Sequence, residues 1–344
     1  MQAVILAAGK STRTYPLTLT RPKPLLKAAN KTILEHNLEA VKGLVDEIII
    51  VVGYKQEMIK KFISEKYPKL NIRYIWQKEQ LGTGHAVSIL KDHIKGKFIL
   101  LLGDNIYSKA DIKSVSKYNY SILVKRVKNW ENFGVILEKN GIVMDIIEKP
   151  ERFISDIINC GLFSLDKKIF DLLKKTKKSE RGEYELTDAL KMLAEEEKLK
   201  CVKSSLCLQI SYSWDLLAAD KELRKNKNLI GQNSKVTGNV ENSAIGNNCI
   251  IKGNAKNSII MDNAIIEKDS IIEDSIIGEN VYFKGRIISK NNIFSIIKNK
   301  KINAGRLGAI IGDNVNANNV IITPGCKIWP NKKIENKKIE NDVL

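Results

Sequence analysis

AVILAAGKSTRTYPLTLTRPKPLL, residues 3–26, opens with an apolar run, turns at Gly9 and continues through a segment dense in Thr, Arg, Lys and Pro. The run AVILA (3–7) reads as a buried strand, being short, rich in aliphatic residues and closed by a glycine turn. A turn that follows such a strand directly leaves backbone N–H groups free to face an anion. Gly9 permits close approach of the backbone. Arg13 and Lys23 add fixed positive charge suited to a polyphosphate, and Pro22 and Pro24 stiffen the segment around Lys23.

Outward from this stretch the same punctuation repeats. EIIIVV (47–52), IRYIW (72–76), KFILLL (97–102) and YSILVKRV (120–127) read as further buried strands. Between them TILEHNLEAVKGL (32–44) and QEMIKKFISEKY (56–67) carry apolar residues at three- and four-residue steps, the helical period. Strand and helix in alternation predict a Rossmann-like, doubly wound α/β domain over residues 1–226, its mostly parallel sheet covered on both faces. The dinucleotide fingerprint G-x-G-x-x-G is absent after the first strand, which argues against a dinucleotide-binding enzyme.

Beyond residue 226 the period changes. Ile245, Ile251, Ile260, Ile265, Ile271 and Ile277 recur at steps of mostly six, separated by Asn, Gly, Asp and Ser, most clearly in IIMDNAIIEKDSIIEDSIIGENV (259–281). A β-branched residue and a turn residue in each unit mark a hexapeptide repeat that stacks into a parallel β-helix, predicted for residues 227–335. A basic stretch near 284–306 breaks the period and reads as an excursion. The Lys/Asn/Glu-rich residues 336–344 read as a tail that frays.

Composition narrows the function classes. The 344 residues carry a formal net charge of +18, but only nine of the 57 basic residues are Arg and the Lys are scattered. No Arg-rich arm or aromatic-interleaved basic patch is present, so a nucleic-acid partner is not expected. The bias toward Lys, Ile and Asn is read as genome composition. No apolar run approaches the length of a membrane span. The five Cys include no C-x-x-C pair and the three His form no ligand cluster, so reduced thiols in the cytoplasm are expected.

Taken whole, the run GKSTRTYPLTLTRPKPLL (9–26) resembles the signature of the sugar-1-phosphate nucleotidylyltransferases, the glucose-1-phosphate thymidylyltransferases and N-acetylglucosamine-1-phosphate uridyltransferases. The resemblance continues in order through QKEQLGTGHAV (77–87), LLGDN (101–105), FGVI (133–136), IIEKP (146–150), NCGLF (159–163) and GEYELTDAL (182–190). It implies a mixed sheet of the nucleotide-diphospho-sugar transferase type and a left-handed β-helix. Leu6, Ala8, Gly9, Gln77, Gly82 and Thr83 would bind the nucleotide, with Gln77 against the edge of uracil or thymine. Arg13 and Lys23 would be catalytic, and Asp104 would be the first Mg²⁺ ligand. Gly134, Glu148, Lys149 and Asn159 would hold the sugar phosphate. The implied reaction joins a sugar 1-phosphate to the α-phosphorus of dTTP or UTP and releases pyrophosphate.

Three departures qualify the resemblance. Ser11 stands where relatives have a second Gly. In CLQISYSWDLLAADKEL (207–223), Gln209 takes the place of the Asp that is the family's second metal ligand, so weaker metal affinity is expected. Relatives with such C-terminal domains also acetylate amino sugars through a His, yet no His follows His93 here. An acetyltransferase is therefore not expected. That leaves the β-helix to assembly, as a trimer or higher homo-oligomer, or to regulation. The rival class is a catalytically weak paralogue that senses nucleotide sugars.

Overall fold

The computed structural model describes residues 1–344, save the side chain of Asn132. Two compact units emerge. One holds Met1–Lys10 and Leu34–Gln209, the other Ser11–Ile33 and Ile210–Leu344. The division in space thus differs from a single cut at residue 226, because residues 11–33 group with the C-terminal part.

Thirteen strands precede the repeats: β1 (Gln2–Ala7), β2 (Lys27–Ala28), β3 (Lys31–Thr32), β4 (Glu47–Val52), β5 (Ile72–Trp76), β6 (Phe98–Leu102), β7 (Asn105–Tyr107), β8 (Ser121–Arg126), β9 (Gly134–Lys139), β10 (Ile142–Glu148), β11 (Ile157–Leu165), β12 (Lys200–Lys203) and β13 (Cys207–Gln209). The first unit is built on a nine-stranded sheet in the order β5-β4-β1-β6-β11-β8-β12-β10-β9. β1 lies between β4 and β6 and runs parallel to both. Ala3, Val4 and Ile5 are fully buried, as a central strand covered on both faces requires. β11 runs antiparallel to β6 and β8, and β10 antiparallel to β9 and β12, so the sheet is mixed. Strand order reverses at β1, and a doubly wound sheet opens its ligand crevice outside the carboxyl ends at such a reversal.

The helices are α1 (Ile33–Val41), α2 (Gln56–Lys66), α3 (Thr83–Ser88), α4 (Lys109–Val115), α5 (Lys168–Leu173), α6 (Leu186–Glu196) and α7 (Asp215–Arg224). One apolar cluster joins Ala86 and Val87 of α3 and Ala189, Leu190 and Leu193 of α6 to Val4, Phe98 and Leu100 of the sheet. Phe98 stacks on Phe170 of α5 with ring centroids 6.2 Å apart. Apolar residues at helical spacing thus meet the alternating faces of the strands, which is the pattern the sequence carries.

In the second unit, three ladders of short parallel strands rise together as a β-helix. One runs from Leu229–Ile230 through Ala244–Ile245, Ile259–Ile260, Ile276–Ile277 and Ile310–Ile311 to Lys327–Ile328. Ile245, Ile260, Ile277, Ile311 and Ile328 are each fully buried along its axis. Asparagine makes the corners. Asn233 donates its amide to Asn248 (3.3 Å), Asn248 to Asn263 (3.2 Å), Asn263 to Asn280 (3.0 Å), and Asn280 and Asn314 each to the next Asn above (2.9 Å). Every member of this ladder is in the left-handed region, with φ between +56° and +63°. Asn enters that region more readily than other side chains, so the Asn content has a structural cause beyond genome composition. One coil takes 15 residues low in the stack and 17 higher up.

The stretch expected as an excursion is an antiparallel hairpin, Lys290–Ile297 with Lys300–Leu307. It stands between two coils and explains the 34-residue step from Asn280 to Asn314. Residues 336–344, expected to fray, instead complete the last coil. Lys333–Ile339 pairs with Asn316–Ile322, and Val343 exchanges backbone hydrogen bonds with Lys327 and Trp329 (2.9 and 2.8 Å). Among the described residues no helix is long and apolar enough to cross a membrane.

Candidate active site

In the first unit, the expected nucleotide residues lie near the carboxyl ends of β1 and β5, while of the expected sugar residues Gly134 opens β9, Glu148 ends β10 and Asn159 lies within β11. Leu6 is the next-to-last residue of β1, and its carbonyl accepts from the N–H of Gly103 (2.9 Å) in the turn that carries Asp104. The carbonyl of Ala8 is held by the N–H of Tyr54 (3.0 Å) and the side-chain amide of Gln80 (2.9 Å). Gln77, buried after β5, donates to the carbonyl of Gly82 (3.2 Å) and lies 3.1 Å from Nδ1 of His85. Its amide nitrogen is thus occupied within its own loop, which leaves the carbonyl oxygen to meet a ligand donor. Gly82 has φ +100°, and a Cβ there would lie 2.6 Å from the carbonyl oxygen of Tyr184. Only glycine fits.

That contact joins two segments read separately in the sequence. The N–H of Gly84 donates to Tyr184, Tyr184 donates to Leu81 (both 2.8 Å), and Thr83 Oγ1 accepts from the N–H of Leu186 at the start of α6 (3.1 Å). GEYELTDAL therefore braces the loop expected to meet the base.

A second convergence lies at Gly134. A Cβ built there would sit 3.0 Å from Oε2 of Glu148, 3.8 Å from Cβ of Asn159 and 3.9 Å from Cγ2 of Thr187. Four segments thus meet around one point that a side chain would fill. Glu148 Oε1 faces Lys149 Nζ (3.3 Å) and Arg181 (3.8 Å). Lys149 has φ +48°, a conformation unfavourable to a long side chain and of the kind held under strain at functional positions. Asn159 Oδ1 accepts from the N–H of Gly161 (2.8 Å), which leaves the amide of Asn159 as its outward donor. Thr187 was not singled out in the sequence. Its hydroxyl is buried without a hydrogen-bond partner, a state that usually marks a missing ligand or water.

The two positions expected to hold a metal come from neighbouring strands. β7 and β13 pair antiparallel with Asn105 opposite Gln209, which puts Gln209 one register step from Asp104. Gln209 Nε2 donates to the carbonyl of Asn159 (3.1 Å). Tyr107, buried on β7, places its hydroxyl 2.9 and 2.8 Å from the carbonyls of Cys160 and Gly161 and so fixes the bulge that carries Asn159. Among the described residues no three acidic, His or Cys side chains gather as a metal cluster. One carboxylate and one amide oxygen form a sparse donor set of the kind that suits Mg²⁺, which keeps waters and takes phosphate oxygens as ligands.

The second unit carries the basic part of the signature. Residues 11–33 turn through three short 3₁₀ segments at Thr12–Thr14, Leu17–Leu19 and Lys23–Leu25. Ser11 has φ +53°, the region where glycine is preferred, so the sequence departure falls where a Cβ is least welcome. Its carbonyl accepts from the N–H of Thr14 (3.1 Å) and the hydroxyls of Thr14 (2.7 Å) and Thr18 (2.9 Å). The Arg13 guanidinium lies 6.0 Å from the ring centroid of Tyr212, which stacks on Trp214 at 4.9 Å. Asp215 accepts from the N–H groups of Ser211 and Tyr212 (2.8 Å each). Burial pushes its carboxyl up, against those bonds and the charges of Lys23 and Arg13. Lys23 itself is buried.

A doubly wound sheet with a glycine turn after its first strand, tied to the acid-bearing turn after the adjacent strand, is the framework of an enzyme that handles nucleoside phosphates. Residues 2–209 match the family model described as nucleotidyl transferase, and residues 222–344 match the GMPPB C-terminal domain. The "Bifunctional protein GlmU" of Methanocaldococcus jannaschii is 41% identical, with 96% of this chain and 92% of that protein covered. A "Bifunctional sugar-1-phosphate nucleotidylyltransferase/acetyltransferase" of Sulfurisphaera tokodaii is 32% identical over 95% of this chain and 94% of its own length. The solved structure of a putative glucose-1-phosphate thymidylyltransferase from Bacillus anthracis superposes with a TM-score of 0.60 at 26% identity, covering 66% of this chain and 96% of that one. The chain belongs to the nucleotidyl transferase family, in its sugar-1-phosphate nucleotidylyltransferase branch.

Proposed function

We propose that the protein transfers a nucleoside monophosphate from dTTP or UTP to glucose-1-phosphate or N-acetylglucosamine-1-phosphate. A phosphate oxygen of the sugar 1-phosphate attacks the α-phosphorus in line, the bond from the α-phosphorus to the bridging oxygen breaks, and pyrophosphate leaves. The observation that carries this is the convergence on Gly134 of Glu148, Asn159 and Thr187, hydrogen-bonding side chains gathered around a point that the glycine leaves open. Glu148 and Asn159 orient sugar hydroxyls, and Lys149 holds the attacking phosphate. Gln77, Gly82 and Thr83 take the base, with Leu6, Ala8 and Gly9 lining the path of the nucleotide. Arg13 and Lys23 neutralise the departing pyrophosphate. Bound at Asp104 and Gln209, Mg²⁺ would supply further charge neutralisation to the phosphates.

No acetyl transfer accompanies this. All three His precede residue 94, so the repeats offer no imidazole base. The alignment to the M. jannaschii protein spans 381 positions, more than the 344 residues of this chain, so that relative carries segments missing here. The protein works in the cytoplasm, where its five free thiols stay reduced, and assembles through its β-helix as a trimer or larger homo-oligomer.

The test is pyrophosphate release over dTTP and UTP, crossed with the two sugar phosphates. Turnover with at least one pair is expected. Nucleotide-sugar binding without turnover for any pair would instead support a sensing paralogue, the role that the neutral Gln209 favours. Thiol release from acetyl-CoA in the presence of glucosamine-1-phosphate would overturn the single-activity proposal.

A further inference from the structure

Three acidic residues occupy one column of the β-helix, each just before a left-handed Asn corner. They are Asp262, Glu279 and Asp313, and the column continues as Asn247 and Gln232 in the coils below. The column residues cap one another's backbones. The N–H of Gln232 donates to Asn247 Oδ1 (2.8 Å), that of Asn247 to Asp262 Oδ1 (3.0 Å), and that of Glu279 to Asp313 Oδ1 (2.7 Å). Asn247 performs this capping with a neutral side chain, so the coil itself does not need a carboxylate.

The second oxygens of the acids do something else. Asp313 Oδ2 pairs with Arg21 and accepts from Thr20, Glu279 pairs with Arg21, and Asp262 Oδ2 pairs with Lys27, which also lies 3.7 Å from Glu279. Arg21 and Asp313 are both buried. Lower in the stack Asn30 donates to the carbonyl of Ile245 (2.7 Å), and the N–H of Ala29 donates to Asp220 of α7 (2.8 Å). The segment from Thr20 to Asn30 is therefore fastened at intervals to four coils and α7. Arg13 and Lys23 lie on the same excursion of the chain.

We propose that the acidic column is a positioning element for the phosphate-handling segment, and that the β-helix is thereby part of the transferase machinery as well as an assembly module. The inference rests on the phosphate roles proposed above for Arg13 and Lys23. Asp262, Glu279 and Asp313 touch no reacting atom. They act through Arg21 and Lys27, and their negative charge is spent on the segment, since the neutral Asn247 shows that capping alone does not require it.

Asp262→Asn and Asp313→Asn, singly and together, keep the capping oxygen and remove the charge. In the double variant kcat is expected to fall by about tenfold or more, as for displaced catalytic groups generally, with the KM for the nucleoside triphosphate raised and that for the sugar phosphate unchanged. Tryptic cleavage after Arg13 and Lys27 in the full-length protein is expected to accelerate, while the melting of the β-helix stays near wild type. Gln232→Glu, which adds a charge at the foot of the column two coils below Asp262, should alter none of these. Wild-type kinetics together with wild-type tryptic protection in the double variant would overturn the proposal. A wild-type protein with no turnover would sink the proposed reaction, and the proteolysis would still decide the role of the column.

Discussion

The side-chain amide of Gln209 donates to the backbone carbonyl of Asn159 at 3.1 Å, which ties the position of the missing acid to the strand that carries a residue proposed to hold the sugar. With its nitrogen so engaged, Gln209 has only a neutral oxygen to offer a cation. Gln209→Asp is expected to lower the Mg²⁺ concentration for half-maximal turnover. A gain of about 1.4 kcal/mol in metal binding would shift it roughly tenfold. Titrating Mg²⁺ at saturating substrates measures the shift. An unchanged or higher requirement would show that Gln209 is no metal position, its amide serving to hold Asn159 alone.

Ser11 offers a second test. Its φ of +53° places a Cβ where L-residues crowd the following carbonyl, a strain of about 1 kcal/mol that glycine avoids. Ser11→Gly should therefore raise the unfolding free energy by up to about 1 kcal/mol, less what the freer unfolded chain takes back. Ser11→Val should lower it by more than Ser11→Gly raises it. Urea midpoints for the three proteins report the order, and a glycine variant less stable than wild type contradicts it.

The doubly wound sheet and the β-helix were both legible because periodicity reports burial. AVILA and EIIIVV could only be buried strands, and the regularly spaced isoleucines could only line a narrow core. Lys149 and Asn159 were singled out through the family resemblance of IIEKP and NCGLF, and the fold brings Asn159 to Glu148 around Gly134. Packing across distant segments was not. Nothing in GEYELTDAL announces that Tyr184 braces Gly84 or that Thr187 faces Gly134, since each of these contacts spans tens of residues. The Asn content was misread for a similar reason. A left-handed corner every 15 or 17 residues is too sparse a period to see beside the stronger isoleucine signal. Arg21 and Lys27 carried no signal of their own in the sequence, because their partners come from the far end of the chain.

Acid stability should depend on Glu47, at the start of β4. Burial pushes its carboxyl up, but the amide of Gln2 (2.8 Å), Arg73 (2.7 Å) and Lys95 (3.6 Å) outweigh that and hold it below the ordinary value of 4.5. A carboxyl lowered in the folded state adds stability above its unfolded pKa, and that stability is lost as the pH falls through the folded value. Glu47→Gln should thus be less stable than wild type at neutral pH. The gap should close as the pH drops below about 4.5. Urea midpoints of both proteins from neutral to acid pH check the sign, and a gap that widens on acidification would refute it.

Thr187 separates a structural from a ligand-binding role within one substitution. Its hydroxyl is buried with no partner, and its methyl group lies 3.9 Å from the Cβ position of Gly134. An unsatisfied buried hydroxyl costs about 1 kcal/mol or more in the unliganded protein. Thr187→Val, close in shape, should therefore leave the protein as stable as wild type or more so. If the hydroxyl bonds a sugar group, the same variant should raise the KM for the sugar phosphate. Loss of one hydrogen bond of about 1 kcal/mol corresponds to roughly fivefold. Thr187→Ser should restore that KM, and the KM for the nucleoside triphosphate should not move in either variant. Greater stability with an unchanged sugar-phosphate KM would make the orphaned hydroxyl a packing compromise at the start of α6 and take Thr187 out of the pocket.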